Sequence, residues 1–235
     1  MKPTPQWTKA IILRSTDYGE SDRIFGLLTR EFGKVSVFAR GARNSKKRFS
    51  GVDLFVTFRA ILTPPKNSAS QFYVLNSIEN LNLQIDIRRD IQKFCQLSYM
   101  AECTWMFLGD HDPHGAYFDW LELKMETLRS QPLKVSDQVR LDLEMLKWFG
   151  YFPSFTKCYE CGKHIQEENV FFEFSKGGIL CRHCQRPSSG RWLYSKSFHE
   201  NALADLREPI NAFVQYTLGR TPKSQIIREE LIHVG

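Results

Sequence analysis

Between Trp7 and about Asn82 the apolar residues fall in short runs: Ala10–Leu13, Ile24–Leu28, Val35–Phe38, Leu54–Phe58 and Gln71–Leu75. Asp17-Tyr-Gly19, Glu31-Phe-Gly33 and the stretch from Pro64-Pro65 to Ser70 separate them. Such runs bounded by turn residues predict five strands. Five short strands with long loops suit a small, partly closed barrel of the OB type. From Ile85 the period changes to three and four residues. Phe94, Leu97, Ala101, Thr104 and Leu108 predict one helix ending near Gly109, and Phe118, Leu121, Met125 and Leu128 a second. A third opens with Ser136 as N-cap, buries Val139, Leu143 and Leu146, and stops at Gly150 before Pro153. Ser197-Phe-His-Glu200 has the form of a capping box ahead of Leu203 and Leu206. Ile210, Phe213, Val214, Thr217 and Leu218 carry the helical period to Gly219, and a last helix starts near Ser224. The expected class is α+β, with a barrel over 1–82 and a helical domain over 83–235.

Four of the six cysteines interrupt the helical part. Cys158-Tyr-Glu-Cys161 and Cys181-Arg-His-Cys184 are two C-x2-C pairs at the spacing of a tetrahedral four-thiolate zinc centre, in a module at about 155–190. Phe171–Phe174 and Gly178–Leu180, joined through Ser175–Gly178, read as a hairpin that brings the pairs together. Four thiolates leave no open position for water, so one such Zn2+ per chain is structural. Its net charge of −2 is partly offset by Lys157, Lys163 and Arg182. His164 and His183 read as flanking surface residues. The competing reading is a redox disulfide, since C-x2-C also serves thiol exchange, although no thioredoxin-like βαβ frame surrounds it. Cys95 and Cys103, in an apolar helical stretch, read as small buried hydrophobes.

Charge changes the picture further. Residues 1–80 hold 13 Lys/Arg against 6 Asp/Glu, whereas 81–235 hold 19 against 20. The basic excess therefore belongs to the barrel region and points to a polyanion, with a solvated face as the bland alternative. It concentrates in Arg40, Arg43, Lys46, Lys47 and Arg48, in a loop that Gly41, Asn44 and Ser45 make flexible, with Lys34 on the preceding strand. Cations at a barrel rim can track a phosphate backbone while strand aromatics stack on bases. Among Phe38, Phe49, Phe55, Phe58 and Tyr73, one or two at most are assigned to DNA. No G-x-x-x-x-G-K-[ST], H-E-x-x-H or G-x-S-x-G pattern occurs, and Asp110, His111, Asp112 and His114 read as a polar turn between helices. The expectation is a binding protein and not an enzyme. With neither a signal-peptide core nor a membrane-length apolar run, it is expected in the cytoplasm.

Leu13-Arg-Ser-Thr-Asp-Tyr-Gly-Glu-Ser-Asp-Arg-Ile24 and Leu28-Thr-Arg-Glu-Phe-Gly-Lys-Val-Ser-Val-Phe-Ala-Arg-Gly-Ala-Arg43 resemble the N-terminus of the RecO family of bacterial recombination mediators. So do Gly150-Tyr-Phe-Pro153 leading into Cys158 and Cys161, Gly177-Gly-Ile-Leu-Cys181, and Tyr216-Thr-Leu-Gly219 with Lys223-Ser224. The resemblance runs nearly end to end. It implies an OB-fold, a helical domain with an inserted zinc module, and binding of single-stranded and duplex DNA. It further implies annealing of complementary strands, and loading of RecA onto DNA coated by single-stranded-DNA-binding protein. RecR and the acidic tail of the coating protein are the implied partners, at the nucleoid during repair. Lys223-Ser-Gln-Ile-Ile-Arg-Glu-Glu departs from the family's more basic Lys-Ser-Arg form, so no partner-binding residues are assigned. The alternatives are an accessory of a nucleic-acid-modifying enzyme and a structural interaction protein.

Overall fold

A computed structural model describes residues 4–66, 71–166, 169–185, 191–195 and 203–231. The chain forms two compact units, Met1–Gln131 and Pro132–Gly235. In the first, β1 (Gln6–Tyr18), β2 (Asp22–Thr29), β3 (Gly33–Ala39), β4 (Thr57–Thr63) and β5 (Phe72–Asn82) close a barrel in the order β1-β2-β3-β5-β4. All pairings are antiparallel except β3 with β5. This is the OB-type barrel expected from the strand pattern. Alternation directs Ala10, Ile12, Phe25, Leu27, Val35, Val37, Phe58, Ala60 and Leu62 into one apolar core.

The fourth strand begins later than the Leu54–Phe58 run suggests. Phe55 adopts φ 64°, its N–H donates to Ile12 O at 2.9 Å, and Ile12 N donates to Val56 O. Leu54–Val56 is thus a turn folded onto β1, and the strand is the alternating Thr57–Thr63. Three helices complete this unit: α1 (Ile85–Arg89), α2 (Ile91–Phe107) and α3 (Gly115–Ser130). Asp90 caps α2 by accepting from the Gln92 and Lys93 amides, and Cys95 and Cys103 are buried in it as expected. Trp105 of α2 covers the outer face of β2 at Gly26, where a Cβ would stand 2.5 Å from the indole.

The polar turn between α2 and α3 seats on the start of β3. His111 N donates to Lys34 O, and the Asp112 carbonyl lies 2.0 Å from where a Gly33 Cβ would be. Gly33 also has φ +67°. Gly33→Ala therefore meets both backbone strain and a backbone clash, and should destabilise the barrel unit by about 1–3 kcal/mol or more. Urea unfolding followed at the barrel checks it, and a change below about 0.5 kcal/mol would contradict this account.

The second unit holds α4 (Val135–Trp148), a sheet in the order β7-β6-β8 (β6 Asn169–Glu173, β7 Gly178–Leu180, β8 Arg191–Ser195), then α5 (Arg207–Leu218) and α6 (Lys223–Glu230). The first of these helices starts one residue before Ser136. Its N-cap is Lys134, whose N–H donates to the Asp137 carboxylate, so Ser136 sits within the first turn. Phe172 of β6 meets Phe213 of α5 edge-on, and α5 ends at left-handed Gly219. The expected capping box at Ser197–Glu200 lies outside the described residues. Arg228 on α6 is buried, donating to Asp142 at 2.8 Å and Asn211 at 2.7 Å. Among the described residues, no helix is long and apolar enough to cross a membrane.

Candidate metal cluster and basic rim

Two turns build the metal cluster. Cys158 N donates to Lys163 O, and Gly162, at φ +71°, returns its N–H to Cys158 O at 2.9 Å. The second turn closes through the Cys184 and Gln185 amides on Cys181 O. Tyr159 N donates to Ile179 O at 2.9 Å and ties the first turn to the β6–β7 hairpin, whose register pairs Phe171 with Leu180. The sequence after Leu180 then delivers Cys181 beside Cys158 and Cys161. All four Sγ atoms lie within 4.8 Å of one another, and Cys161 and Cys181 are 3.8 Å apart. That exceeds the disulfide length of about 2.05 Å. It matches the edge of about 3.8 Å for a tetrahedron with metal–sulfur bonds of about 2.3 Å.

The thiols respond unequally to this crowding. Burial pushes the Cys158 thiol up, but backbone hydrogen bonds from Cys181, Cys161 and Glu160 outweigh it and bring it down to about 6. Side-chain hydrogen bonds with Cys181 and Cys161 push Cys184 up to about 12. A divalent cation at the centre supplies the positive charge that lets all four ionise. The donor set therefore fits a metal. His164 and His183 are exposed and stand outside the cluster, as expected.

The six cations assigned to DNA from sequence divide into three groups. Lys34 is buried, 7% exposed. Its ammonium donates to Trp105 O at 2.8 Å, pairs with Asp110 at 3.1 Å and lies over the Trp105 ring. It fastens α2 to β3 and is not presented to a phosphate. Arg43 and Arg48 pin the loop. Arg43 donates to Gly19 O and pairs with Asp17 at 3.3 Å, while its own N–H reaches Ser21 O. Arg48 donates to Asn76 O and Leu75 O, both at 2.8 Å, and lies over Phe49. Bonds to carbonyls do not offset its charge, and no carboxylate among the described residues pairs with it. Gly41 N, donating to Asp22 at 2.7 Å, adds a third anchor. The loop expected to be flexible is therefore tied to the β1–β2 turn and to β5.

Arg40, Lys46 and Lys47 are exposed on it, with no partner among the described residues. Of the five aromatics considered from sequence, Phe49, Phe55 and Phe58 are buried in the barrel unit, and Tyr73 stacks between Phe32 and His111. Phe38 stays partly open, with the exposed Tyr18 edge-on to it at 5.5 Å. Phe72, opposite Ser36 on β5, is also exposed. Tyr18 and Phe72 escaped the sequence reading. The turn signal Asp17-Tyr-Gly19 marks Tyr18, and nothing local marks Phe72.

The family model described as "Recombination protein O N terminal" matches residues 1–82, and "Recombination protein O C terminal" matches 88–226. The chain is 31% identical to "DNA repair protein RecO" of Anaeromyxobacter dehalogenans, over 94% of each chain. It is 26% identical to the protein of that name in Desulfitobacterium hafniense, over 96% of this chain and 90% of the relative. In Myxococcus xanthus the identity is 32%, over 74% and 70%. With both models matched in order on an OB-type barrel and a helical unit carrying the cysteine cluster, the chain belongs to the RecO family of DNA repair and recombination proteins.

Proposed function

We propose that this protein is a recombination mediator without catalytic turnover, acting in the cytoplasm. It binds single-stranded and duplex DNA, anneals complementary strands and, with RecR, helps load RecA onto strands coated by single-stranded-DNA-binding protein. The observation that carries this reading is the anchored rim, where Arg40, Lys46 and Lys47 are exposed without a partner among the described residues, on a loop tied to the β1–β2 turn and to β5, strands that themselves expose Tyr18 and Phe72. Annealing needs a cationic surface that lowers the repulsion between two strands while leaving base edges open. A loop already tied down gives up little conformational freedom when a strand arrives. Arg48 adds its charge, and Lys34 has no part in the contact. The four thiolates hold one structural Zn2+, which keeps the cysteine turns folded and does no chemistry.

The reading is tested by salt titration. Wild-type affinity for an oligothymidylate should fall with salt at a log–log slope near −3, and Arg40→Ala with Lys46→Ala and Lys47→Ala should flatten that slope by about 2. Annealing of labelled complementary oligonucleotides should slow in the same variant. An unchanged slope and unchanged annealing would overturn the reading.

A further inference from the structure

A cleft on the outer face of β1 and β4 takes no part in the rim contact. Lys9 pairs with Arg59 across the two strands and Trp7 with Ile61. Arg30 and Glu31 at the β2–β3 turn, Asn82 at the end of β5 and Glu122 of α3 complete a cleft of about 430 Å3. Three observations set it apart. Trp7 is 42% exposed although it stands within the paired part of a strand. Arg59 lies 4.8 Å over that ring and has no carboxylate partner among the described residues. Thr57, only 4% exposed, lines the cleft, and its hydroxyl finds no hydrogen-bond partner there.

The other cations of the cleft are already matched: Lys9 with Glu122 at 2.5 Å, and Arg30 with Asp119 at 2.9 Å. Arg59 therefore remains without an ion pair among the described residues, with Glu79 its neighbour on β5, and it covers one face of a part-exposed indole. Glu31, which accepts from Thr8, supplies a carboxylate nearby. A flat ring to stack on, a guanidinium for one phosphate, and a hydroxyl and carboxylate for a base edge are the parts that one nucleotide of a single strand uses.

We infer that the Trp7–Arg59 cleft is a second single-strand subsite, holding one nucleotide with its base on the indole and its phosphate at Arg59. The inference rests on the DNA-binding reading and deepens it. The cleft sits at the first residues of β1 and the basic rim at its last, from Trp7 to Tyr18. That is roughly 36 Å of strand at about 3.3 Å per residue. Two contact surfaces at opposite ends of one strand give a single chain the means to hold two separate strands.

Photocrosslinking of a 15-nucleotide oligothymidylate carrying 5-iododeoxyuridine tests this on the full chain. The expected result is an adduct on the peptide containing Trp7, retained when Arg40, Lys46 and Lys47 are alanine. Trp7→Ala should abolish the adduct and weaken binding by about tenfold, the scale of one lost base stack. Arg59→Gln, at an exposed position, should flatten the salt slope by about 0.7. It guards against a folding defect in the tryptophan variant. Adducts confined to the rim, with both cleft variants binding like wild type, would overturn the subsite and leave the DNA reading intact. Absence of any binding by wild type would overturn both. Loss of binding to an acidic decapeptide in the cleft variants, with oligonucleotide affinity unchanged, would assign the cleft to a protein partner and overturn the subsite.

Discussion

Removing the metal should unfold the two cysteine turns and leave the barrel folded. A strong zinc chelator, or Cys158→Ser, is expected to release one Zn2+ per chain and open the turns at 158–165 and 181–185 to protease. Structural zinc contributes about 10–16 kcal/mol in small cysteine modules, as much as a whole domain's net stability of about 5–15 kcal/mol. The two turns are otherwise held by a few backbone hydrogen bonds and the short β6–β7 pairing. Because each ligand must lose its proton, affinity for the ion should fall as the pH drops. Released metal is measured with a chromogenic indicator, opening by limited proteolysis, and the barrel by its retained oligonucleotide binding. A protease-resistant module that yields no metal would refute the assignment.

Asp142→Ala should be the most damaging single change outside the cysteines. Arg228 and Asp142 are each 2% exposed at the side chain and meet at 2.8 Å, with Asn211 taking another guanidinium N–H. Asn211 in turn donates to Glu229, which also accepts from Gln225, so one buried network ties α4, α5 and α6 together. Deleting the carboxylate strands a buried guanidinium, at about 3–5 kcal/mol. For a unit of this size that lowers the Tm by at least about 12 °C, read by calorimetry. Asp142→Leu combined with Arg228→Met should recover most of the loss, because an apolar pair of similar volume carries no desolvation penalty. A double variant as unstable as the single one would show that the cost lies in packing.

What was legible in the sequence was local. The two C-x2-C pairs announce their cluster because each is a complete turn, and the hairpin between them follows from its own alternation. The period of Leu97, Ala101 and Thr104 marks α2 for the same reason. Lys34 shows where such reading stops: it has the composition of a phosphate contact, yet Trp105 and Asp110, far along the chain, bury its ammonium. Leu54–Val56 looks like a strand but folds into a turn, since tertiary hydrogen bonds to Ile12 outweigh its β-propensity. The Arg228–Asp142 pair and the Trp7–Arg59 cleft rest on partners brought together only by the fold, and no window along the chain contains either.

The wiring of the barrel has a consequence for how the protein is made. β1 lies between β2 and β4, so Trp7 waits for Ile61, and Val37 waits for Tyr73 in the parallel pair. As the chain leaves the ribosome, the β1–β2–β3 meander shows two open edges and an uncovered apolar face until more than thirty further residues emerge. Such distant pairings are slow to form. Slow closure then lengthens the time for which newly synthesised protein is open to aggregation.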